Sequence, residues 1–131
     1  MILFIILFAM IFCHIVDEYY LQGILASMKQ KRWWVENCPD KKYQNDFYIA
    51  LIEHAFSWAF SIHIPLICFI LYNDIKFPVY LYLISMILNT IIHAIIDNAK
   101  ANLLKINLIQ DQFMHFLQIL ITWLVYILYI K

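Results

Sequence analysis

The sequence predicts an all-α integral membrane protein, a four-helix bundle with a short interfacial segment between its first two helices. Of its 131 residues, 65% are hydrophobic and 18% aromatic, and the mean hydropathy is +0.76. A soluble domain of this length cannot bury so much apolar side chain. The formal net charge is zero, so nothing indicates nucleic-acid binding. We therefore expect one transmembrane domain over residues 1–131, with the lipid bilayer as its main partner.

The first predicted span covers about residues 2–28. Its opening residues lack the basic start and the small-residue cleavage site of a signal peptide, so we expect the segment to be retained. The other spans are predicted at about residues 46–72, 78–99 and 108–130. Each reaches the ~20 mostly apolar residues that a helix needs to cross the hydrocarbon. Pro65 is expected to kink the second span.

A basic and aromatic loop over residues 29–45 separates the first two spans. Trp33 and Trp34 suit the headgroup layer of the membrane, and the sequence predicts a short helix lying along the surface there. The cations expected to extend toward lipid phosphates are Lys29, Lys31 and Arg32. If the chain is an interaction subunit, this loop is the predicted contact for its protein partner.

Loop cations predict the orientation. Seven of them fall in the first and third connections and two fall opposite. The seven are Lys29, Lys31, Arg32, Lys41, Lys42, Lys100 and Lys105, and the two are Lys76 and Lys131. The positive-inside rule then predicts a multi-pass protein of the cell (inner) membrane, with loops 29–45 and 100–107 cytoplasmic and both termini outside.

Three pairs of a histidine and a carboxylate lie inside the predicted spans. They are His14 with Glu18, His93 with Asp97, and Asp111 with His115. Residues four apart lie on one face of a helix, one turn from each other. Because ionisable groups within a membrane are costly and commonly functional, these pairs predict an intramembrane polar site.

Each span carries one polar stripe, and the four stripes reach a similar depth near the basic loop. The simplest packing turns all four inward, as in a four-helix bundle. On the second span, the predicted site residue is His54. The expected supporting groups are Asp17, Gln22, Asn89 and Gln112. Glu53 points about 100° away from His54, and His63 lies deeper; both are expected outside the site.

These residue types suit a divalent metal such as zinc. The predicted ligands are His14, His54, His93, His115, Asp97 and Asp111, and the predicted catalytic carboxylates are Glu18, Asp97 and Asp111. The set suffices for one metal with supporting acids or for two metals. If the protein is an enzyme, a metal-activated water would hydrolyse a lipid-linked or membrane-accessible ester or phosphoester.

Three alternatives stay open, and the first two use the same residues differently. The polar groups could form a hydrogen-bonded network that only holds the helices in register. They could instead carry protons or ions, as histidine and acid chains do in membranes. The chain could also be a non-catalytic interaction subunit or a phage or defence effector. Assembly as a homo-oligomer stays open.

The motifs also resemble those of a small bacterial and phage membrane family known as domain of unknown function 3307. The run His14-Ile-Val-Asp-Glu-Tyr-Tyr-Leu-Gln22 is similar to its His-x3-Asp-x3-Gln signature. His93-Ala-Ile-Ile-Asp97 and Asp111-Gln-Phe-Met-His115 resemble its His-x3-Asp and Asp-Gln-x2-His elements, and His54 matches a histidine of its second span.

This resemblance covers nearly the whole chain. It implies a compact helical membrane protein whose signature residues are those named above, and the family brings no established activity. Glu18 stands where the family pattern has Asp, with Asp17 just before it. Which of these two carboxylates is functional therefore stays open.

Overall fold

A computed structural model describes residues 1–130, and every regular element in that range is helical. In chain order these elements are α1 (Ile2–Val16) with a π-helical turn (Asp17–Leu21), α2 (Leu25–Met28), α3 (Lys31–Asn37), a 3-10 turn (Lys41–Tyr43), α4 (Phe47–Tyr72), α5 (Val79–Ala101) and α6 (Leu108–Ile130). The four long helices are long and apolar enough to cross a membrane. The predicted all-α membrane bundle is confirmed.

The four long helices pack around a core centred on α4. On this helix Trp58, Ile62, Leu66 and Ile70 recur at four-residue steps, and all are fully buried or nearly so. Helix α4 contacts α1, α5 and α6, and α6 also packs on α1 and α5, which closes the bundle. The outward faces carry exposed apolar side chains such as Phe8, as expected for helices surrounded by lipid.

The first helix is shorter than the predicted span. Its helical run ends at Leu21 instead of continuing to about residue 28, and the chain turns at Gly23. Gly23 has a φ of +49°, a left-handed conformation that glycine adopts without the steric penalty of a Cβ atom. Helices α4, α5 and α6 begin and end within two residues of the predicted bounds. Lys131, used in the orientation prediction, lies outside the described residues.

The loop after α1 folds back onto the bundle, so one prediction about it was wrong. Lys29 is only 7% exposed and points into the bundle, whereas Lys31 and Arg32 are exposed. Asn102 at the end of α5 holds this segment: its Nδ2 donates to the Lys29 carbonyl oxygen (3.1 Å), and its Oδ1 accepts from the Lys31 amide (2.7 Å). The buried acids described below provide the charge that draws Lys29 inward.

Trp34 is likewise buried, at 9% exposure, and its indole Nε1 donates to the Met28 carbonyl oxygen at 2.7 Å. Trp33, its neighbour, is partly exposed. Only one of the two predicted belt tryptophans therefore remains available to a headgroup layer, and the other anchors α3 against α2.

Candidate metal centre

Six ionisable side chains from all four long helices meet at the end of the bundle that carries the 29–45 loop. They are Glu18 of the π-helical turn, His54 of α4, His93 and Asp97 of α5, and Asp111 and His115 of α6. The histidines and aspartates of this set are fully buried, and the Glu18 side chain is 7% exposed. The four-residue spacing on α5 and α6 aims each His–Asp pair at the same point, as the sequence predicted.

Asp97 lies at the centre of this cluster and presents its two oxygens to different neighbours. Its Oδ2 is 2.6 Å from His54 Nε2 and 3.6 Å from His93 Nε2. Its Oδ1 is 3.4 Å from His115 Nε2. One carboxylate thus divides the cluster into two parts, which we call the α4 subsite (Glu18, His54, His93 and Asp97 Oδ2) and the α6 subsite (His93, His115, Asp111 and Asp97 Oδ1).

The α6 subsite brings together ligand atoms that lack other partners. His115 Nε2 is 3.4 Å from both Asp97 Oδ1 and Asp111 Oδ1. None of these three atoms has a hydrogen-bond partner within residues 1–130, and all three are buried. A tetrahedral zinc ion with bonds of about 2.0–2.1 Å holds neighbouring ligand atoms about 3.3–3.4 Å apart. The two separations from His115 Nε2 match this spacing, and the ligand atoms of His93, Asp97 and His115 lie close enough together to hold a metal ion.

Aromatic stacking fixes the shared ligand, His93. Its ring centroid lies 4.2 Å from those of Trp58 and His115, with interplanar angles of 24° and 25°, and the Trp58 and His115 centroids are themselves 5.5 Å apart. A ring packed in this three-ring cluster cannot swing without disturbing both neighbours. The bundle core thus orients His93 Nε2 toward the cluster before any ligand binds.

The α4 subsite contains a cation that the sequence analysis had placed elsewhere. Lys29 Nζ lies 2.6 Å from Asp97 Oδ2, 2.8 Å from His54 Nε2 and 3.6 Å from Glu18 Oε1. Buried carboxylates need nearby positive charge, and that requirement was the signal that could have assigned Lys29 to the site. A lysine that directly follows a span is close enough to turn back into it.

A second lysine neutralises the α6 subsite from its far side. Lys100 Nζ lies 2.5 Å from Asp111 Oδ2, and the Lys100 side chain is 25% exposed. Gln112 Nε2 donates to the same oxygen at 3.1 Å. Both contacts use Oδ2, so Asp111 Oδ1 remains directed at His115. Gln112, predicted as a supporting group, does contact a cluster residue.

His14 adjoins the cluster, but hydrogen bonds engage both of its ring nitrogens. Nδ1 accepts from the indole Nε1 of Trp58 at 2.7 Å, and Nε2 lies 3.1 Å from Gln112 Oε1. Its ring centroid is 5.8 Å from that of His115. In this arrangement His14 supports Trp58 and Gln112. Among the described residues, the two groups whose ligand atoms lie close enough together to hold a metal include neither His14 nor Asp111, but Asp111 Oδ1, unlike the His14 ring nitrogens, has no hydrogen-bond partner there.

The π-helical turn resolves which of the two adjacent acids faces the histidines. Glu18 Oε2 lies 3.9 Å from His54 Nε2 and 3.8 Å from His93 Nε2. Asp17 is also fully buried but faces a separate set of donors. A π-helical turn contains an extra residue and shifts the helical register, which allows neighbouring acids to point inward together.

Asp17 is held by three neutral donors. Its Oδ1 accepts from Ser57 and Ser61 Oγ at 2.8 Å each, and its Oδ2 accepts from Gln22 Nε2 at 2.8 Å. The two serines extend the polar stripe of α4, and they contact Asp17 rather than the histidine cluster. Asp17 and Gln22 therefore tie α1 to α4 beside the centre.

The remaining polar residues lie farther along the bundle. Asn89 Nδ2 donates to Thr122 Oγ1 at 3.0 Å, and Gln118 Nε2 donates to the Asn89 carbonyl oxygen at 2.8 Å, which joins α5 to α6 one turn from the cluster. His63 hydrogen-bonds the Ala59 carbonyl oxygen (2.7 Å) and Ser85 Oγ (2.8 Å), outside the site as predicted. Glu53 is exposed.

The buried charges do not balance. Four carboxylates are buried in the bundle, those of Asp17, Glu18, Asp97 and Asp111, and two lysines lie beside them. Lys29 contacts Glu18 and Asp97, and Lys100 contacts Asp111. Uncompensated charge inside a protein is strongly unfavourable. One divalent cation, or two protonated histidines, would supply the two missing positive charges. These two possibilities correspond to a metal centre and to a proton-carrying site.

No family model matches the chain, and no curated protein or solved structure is significantly similar to it. The chemistry of the centre therefore follows from its own residues.

Proposed function

We propose that this protein binds a divalent metal ion within the membrane through His93, His115, Asp97 and Asp111. Imidazole nitrogens and carboxylate oxygens are both established ligands of zinc. The observation that carries the proposal is the convergence of three buried ligand atoms, His115 Nε2, Asp97 Oδ1 and Asp111 Oδ1, which lack hydrogen-bond partners within the described chain. The excess of buried negative charge supports it independently.

The reaction we propose is hydrolysis of a lipid-linked or membrane-accessible ester or phosphoester. When bound, the metal would supply Lewis acidity and lower the pKa of a water molecule. Glu18 is the proposed general base, because its Oε2 is buried, 3.8 Å from His93 Nε2, and without a hydrogen-bond partner in the described range. Asp97 and Asp111 would orient the imidazoles and ligate the metal.

A groove between α5 and α6 supports a substrate that arrives from lipid. Its volume is about 320 Å³, and its walls are mainly apolar side chains such as Ile84, Leu88 and Ile121, all exposed on the bundle surface. Asn89 and Gln118, one turn from His93 and His115, are among its polar lining residues. A hydrocarbon tail in this groove would place a polar head near the cluster.

The cellular setting is part of the same proposal. The distribution of loop cations supports a metal centre on the cytoplasmic side of an inner membrane, with both termini outside. The motif resemblance to domain of unknown function 3307, and with it a bacterial or phage origin, remains a prediction.

Elemental analysis of protein purified in detergent without chelator tests the metal centre. We expect stoichiometric metal in the wild type and its loss in His115→Ala. His63→Ala is the matched control, since this histidine is equally buried but hydrogen-bonded outside the cluster. Absence of metal in the wild type, with none acquired on titration, would refute the proposal.

Long-chain p-nitrophenyl esters and phosphodiesters in mixed micelles test the reaction. Metal-loaded protein should release nitrophenol, and Glu18→Gln should reduce the rate at least 100-fold, because removing a general base typically costs 10²–10⁴-fold. If Glu18→Gln retains its metal, the loss of rate reflects a catalytic role of Glu18 and not the loss of a metal ligand.

A second candidate function is proton or ion transfer. The observation that favours it is a continuous line of ionisable groups from the partly exposed Lys100 through Asp111 and His115 to Asp97, with neighbouring members 2.5–3.4 Å apart. Proton flux into proteoliposomes that depends on Asp111 as well as on Glu18, and persists after metal removal, would favour this candidate. A role for loop 29–45 in binding a protein partner stays a prediction.

A further inference from the structure

The α4 subsite contains a positive charge supplied by the chain itself. We propose that Lys29 is a built-in cation that fills the α4 subsite and so restricts the centre to one metal ion, bound in the α6 subsite. This inference rests on the proposed function. It decides between the one-metal and two-metal arrangements that the ligand set alone allows.

The contacts of the Lys29 ammonium group match those of a cation in that subsite. An ammonium has three N–H donors, and Nζ has three acceptors within reach: Asp97 Oδ2, His54 Nε2 and Glu18 Oε1, at 2.6, 2.8 and 3.6 Å. These residues are the ligands that a metal in the α4 subsite would need. A metal bound to His54 and Asp97 would lie almost in contact with Nζ, and the two cations would repel each other.

The fold keeps the ammonium in place. Lys29 is 7% exposed, and Asn102 hydrogen-bonds the Lys29 carbonyl oxygen and the Lys31 amide. Because Asp97 lies in α5 and Asn102 caps the same helix, the element that provides the central carboxylate also fixes the lysine against it. Withdrawal of Lys29 toward the membrane surface would break these contacts and leave Asp97 and Glu18 without a counter-charge.

Lys100 differs from Lys29 in the side from which it approaches. It contacts Asp111 Oδ2, whereas the oxygen that faces His115 is Oδ1. It therefore neutralises charge without entering the α6 subsite. One subsite thus contains a lysine among its ligand atoms, and the other remains suited to a metal.

The charges agree with one metal rather than two. Lys29, Lys100 and one divalent ion together balance the four buried carboxylates. A second divalent ion would leave two surplus positive charges in a low-dielectric interior, which is unfavourable. Removal of Lys29 takes away both the steric and the electrostatic obstacle to a second ion.

Metal stoichiometry tests this inference. Wild-type protein in detergent is saturated with Zn²⁺, separated from free metal, and analysed for zinc per chain. We expect one zinc in the wild type and two in Lys29→Met, a variant that retains the apolar stem and loses the charge. Lys29→Ala should also bind two. Lys29→Arg, which keeps the charge, and Lys31→Ala, an exposed neighbour, should each bind one.

The outcomes separate the inference from the proposed function. Two zinc ions in the wild type would overturn the inference even if no Lys29 variant folded, and the metal centre itself would stand. One zinc in both the wild type and Lys29→Met would also overturn it. Wild-type protein that binds no zinc would count against the proposed function. Co²⁺ titration, read from visible absorption, gives an independent end point at one or two equivalents.

Discussion

The indole Nε1 of Trp58 donates a 2.7 Å hydrogen bond to Nδ1 of His14, and this contact joins α4 to α1 beside the centre. The same tryptophan stacks on His93 at 4.2 Å. One side chain therefore satisfies a buried imidazole and orients a proposed metal ligand. The hydrogen bond uses the indole N–H group and the stacking uses the ring face, so a substitution that keeps the ring and removes the N–H group can separate the two contributions.

Trp58→Phe should keep the aromatic face against His93 and remove the N–H donor. His14 Nδ1 would then be buried without a partner, which typically costs about 1–3 kcal/mol. We expect a lower free energy of unfolding in detergent with metal stoichiometry unchanged. Trp33→Phe, at a partly exposed position, is the control and should have little effect. Equal stability of Trp58→Phe and the wild type would show that the hydrogen bond contributes nothing.

Asp97→Asn should be the most damaging single change at the centre. Asp97 contacts Lys29 directly and belongs to both subsites, so its loss leaves a buried ammonium group without its closest counter-charge. Breaking a buried ion pair typically costs about 3–5 kcal/mol. Thermal unfolding should show a large loss of stability, and metal binding should disappear. Glu53→Gln, which alters an exposed acid next to His54, should change neither quantity.

His14→Ala and His115→Ala should affect metal binding to different extents. His115 is a proposed ligand, and its removal should eliminate stoichiometric binding. His14 acts through Gln112 and Trp58, and loss of a group that supports ligands typically weakens affinity 10–100-fold. Isothermal titration with Zn²⁺ would measure both variants. A His14 variant that loses all metal would place His14 among the ligands.

The double substitution Ser57→Ala and Ser61→Ala should destabilise the contact between α1 and α4. Both hydroxyls donate to Asp17 Oδ1, and each hydrogen bond to a charged group contributes about 1.5–3 kcal/mol. Denaturant titration should show a reduced midpoint, whereas zinc affinity should stay within a few-fold of wild type because Asp17 does not touch the histidines. A strong loss of affinity would show that Asp17 belongs to the metal centre.

Asn102→Ala should loosen the segment around Lys29. Without this side chain the Lys29 carbonyl oxygen and the Lys31 amide lose their partners. Hydrogen exchange at residues 29–31 should become faster, with the long helices unaffected. Asn73→Ala, which removes an exposed hydrogen bond at the opposite end of α4, serves as the control. Unchanged exchange would mean that the Lys29–Asp97 ion pair alone fixes the segment.

The fold could be predicted because its signals are local. Apolar runs of span length identify α4, α5 and α6, and polar residues at three- and four-residue spacing identify their inward faces. The convergence of His54, His93 and His115 follows from those faces once the four helices form a bundle. Side-chain spacing along each helix was therefore sufficient to bring these residues together.

The parts that the sequence did not predict depend on distant contacts. Lys29 pairs with Asp97, which is 68 positions away, and a lysine beside a span ordinarily extends toward phosphates. The π-helical turn at Asp17–Leu21 has no local sequence signature, so the sequence left open which of Asp17 and Glu18 faces the histidines. Hydrogen bonding of both ring nitrogens of His14 likewise depends on distant contacts, because their partners Trp58 and Gln112 belong to other helices.

The packing around Ile62, Leu66 and Ile70 makes the protein asymmetric across the bilayer. Within the described chain, the centre of the bundle farthest from the 29–45 loop is filled by apolar side chains of this kind. The charged groups around Asp97 gather instead at the end of the bundle that carries the loop. The two ends of the bundle therefore differ in chemistry, one with ionisable side chains at its centre and the other with a tightly packed apolar interior.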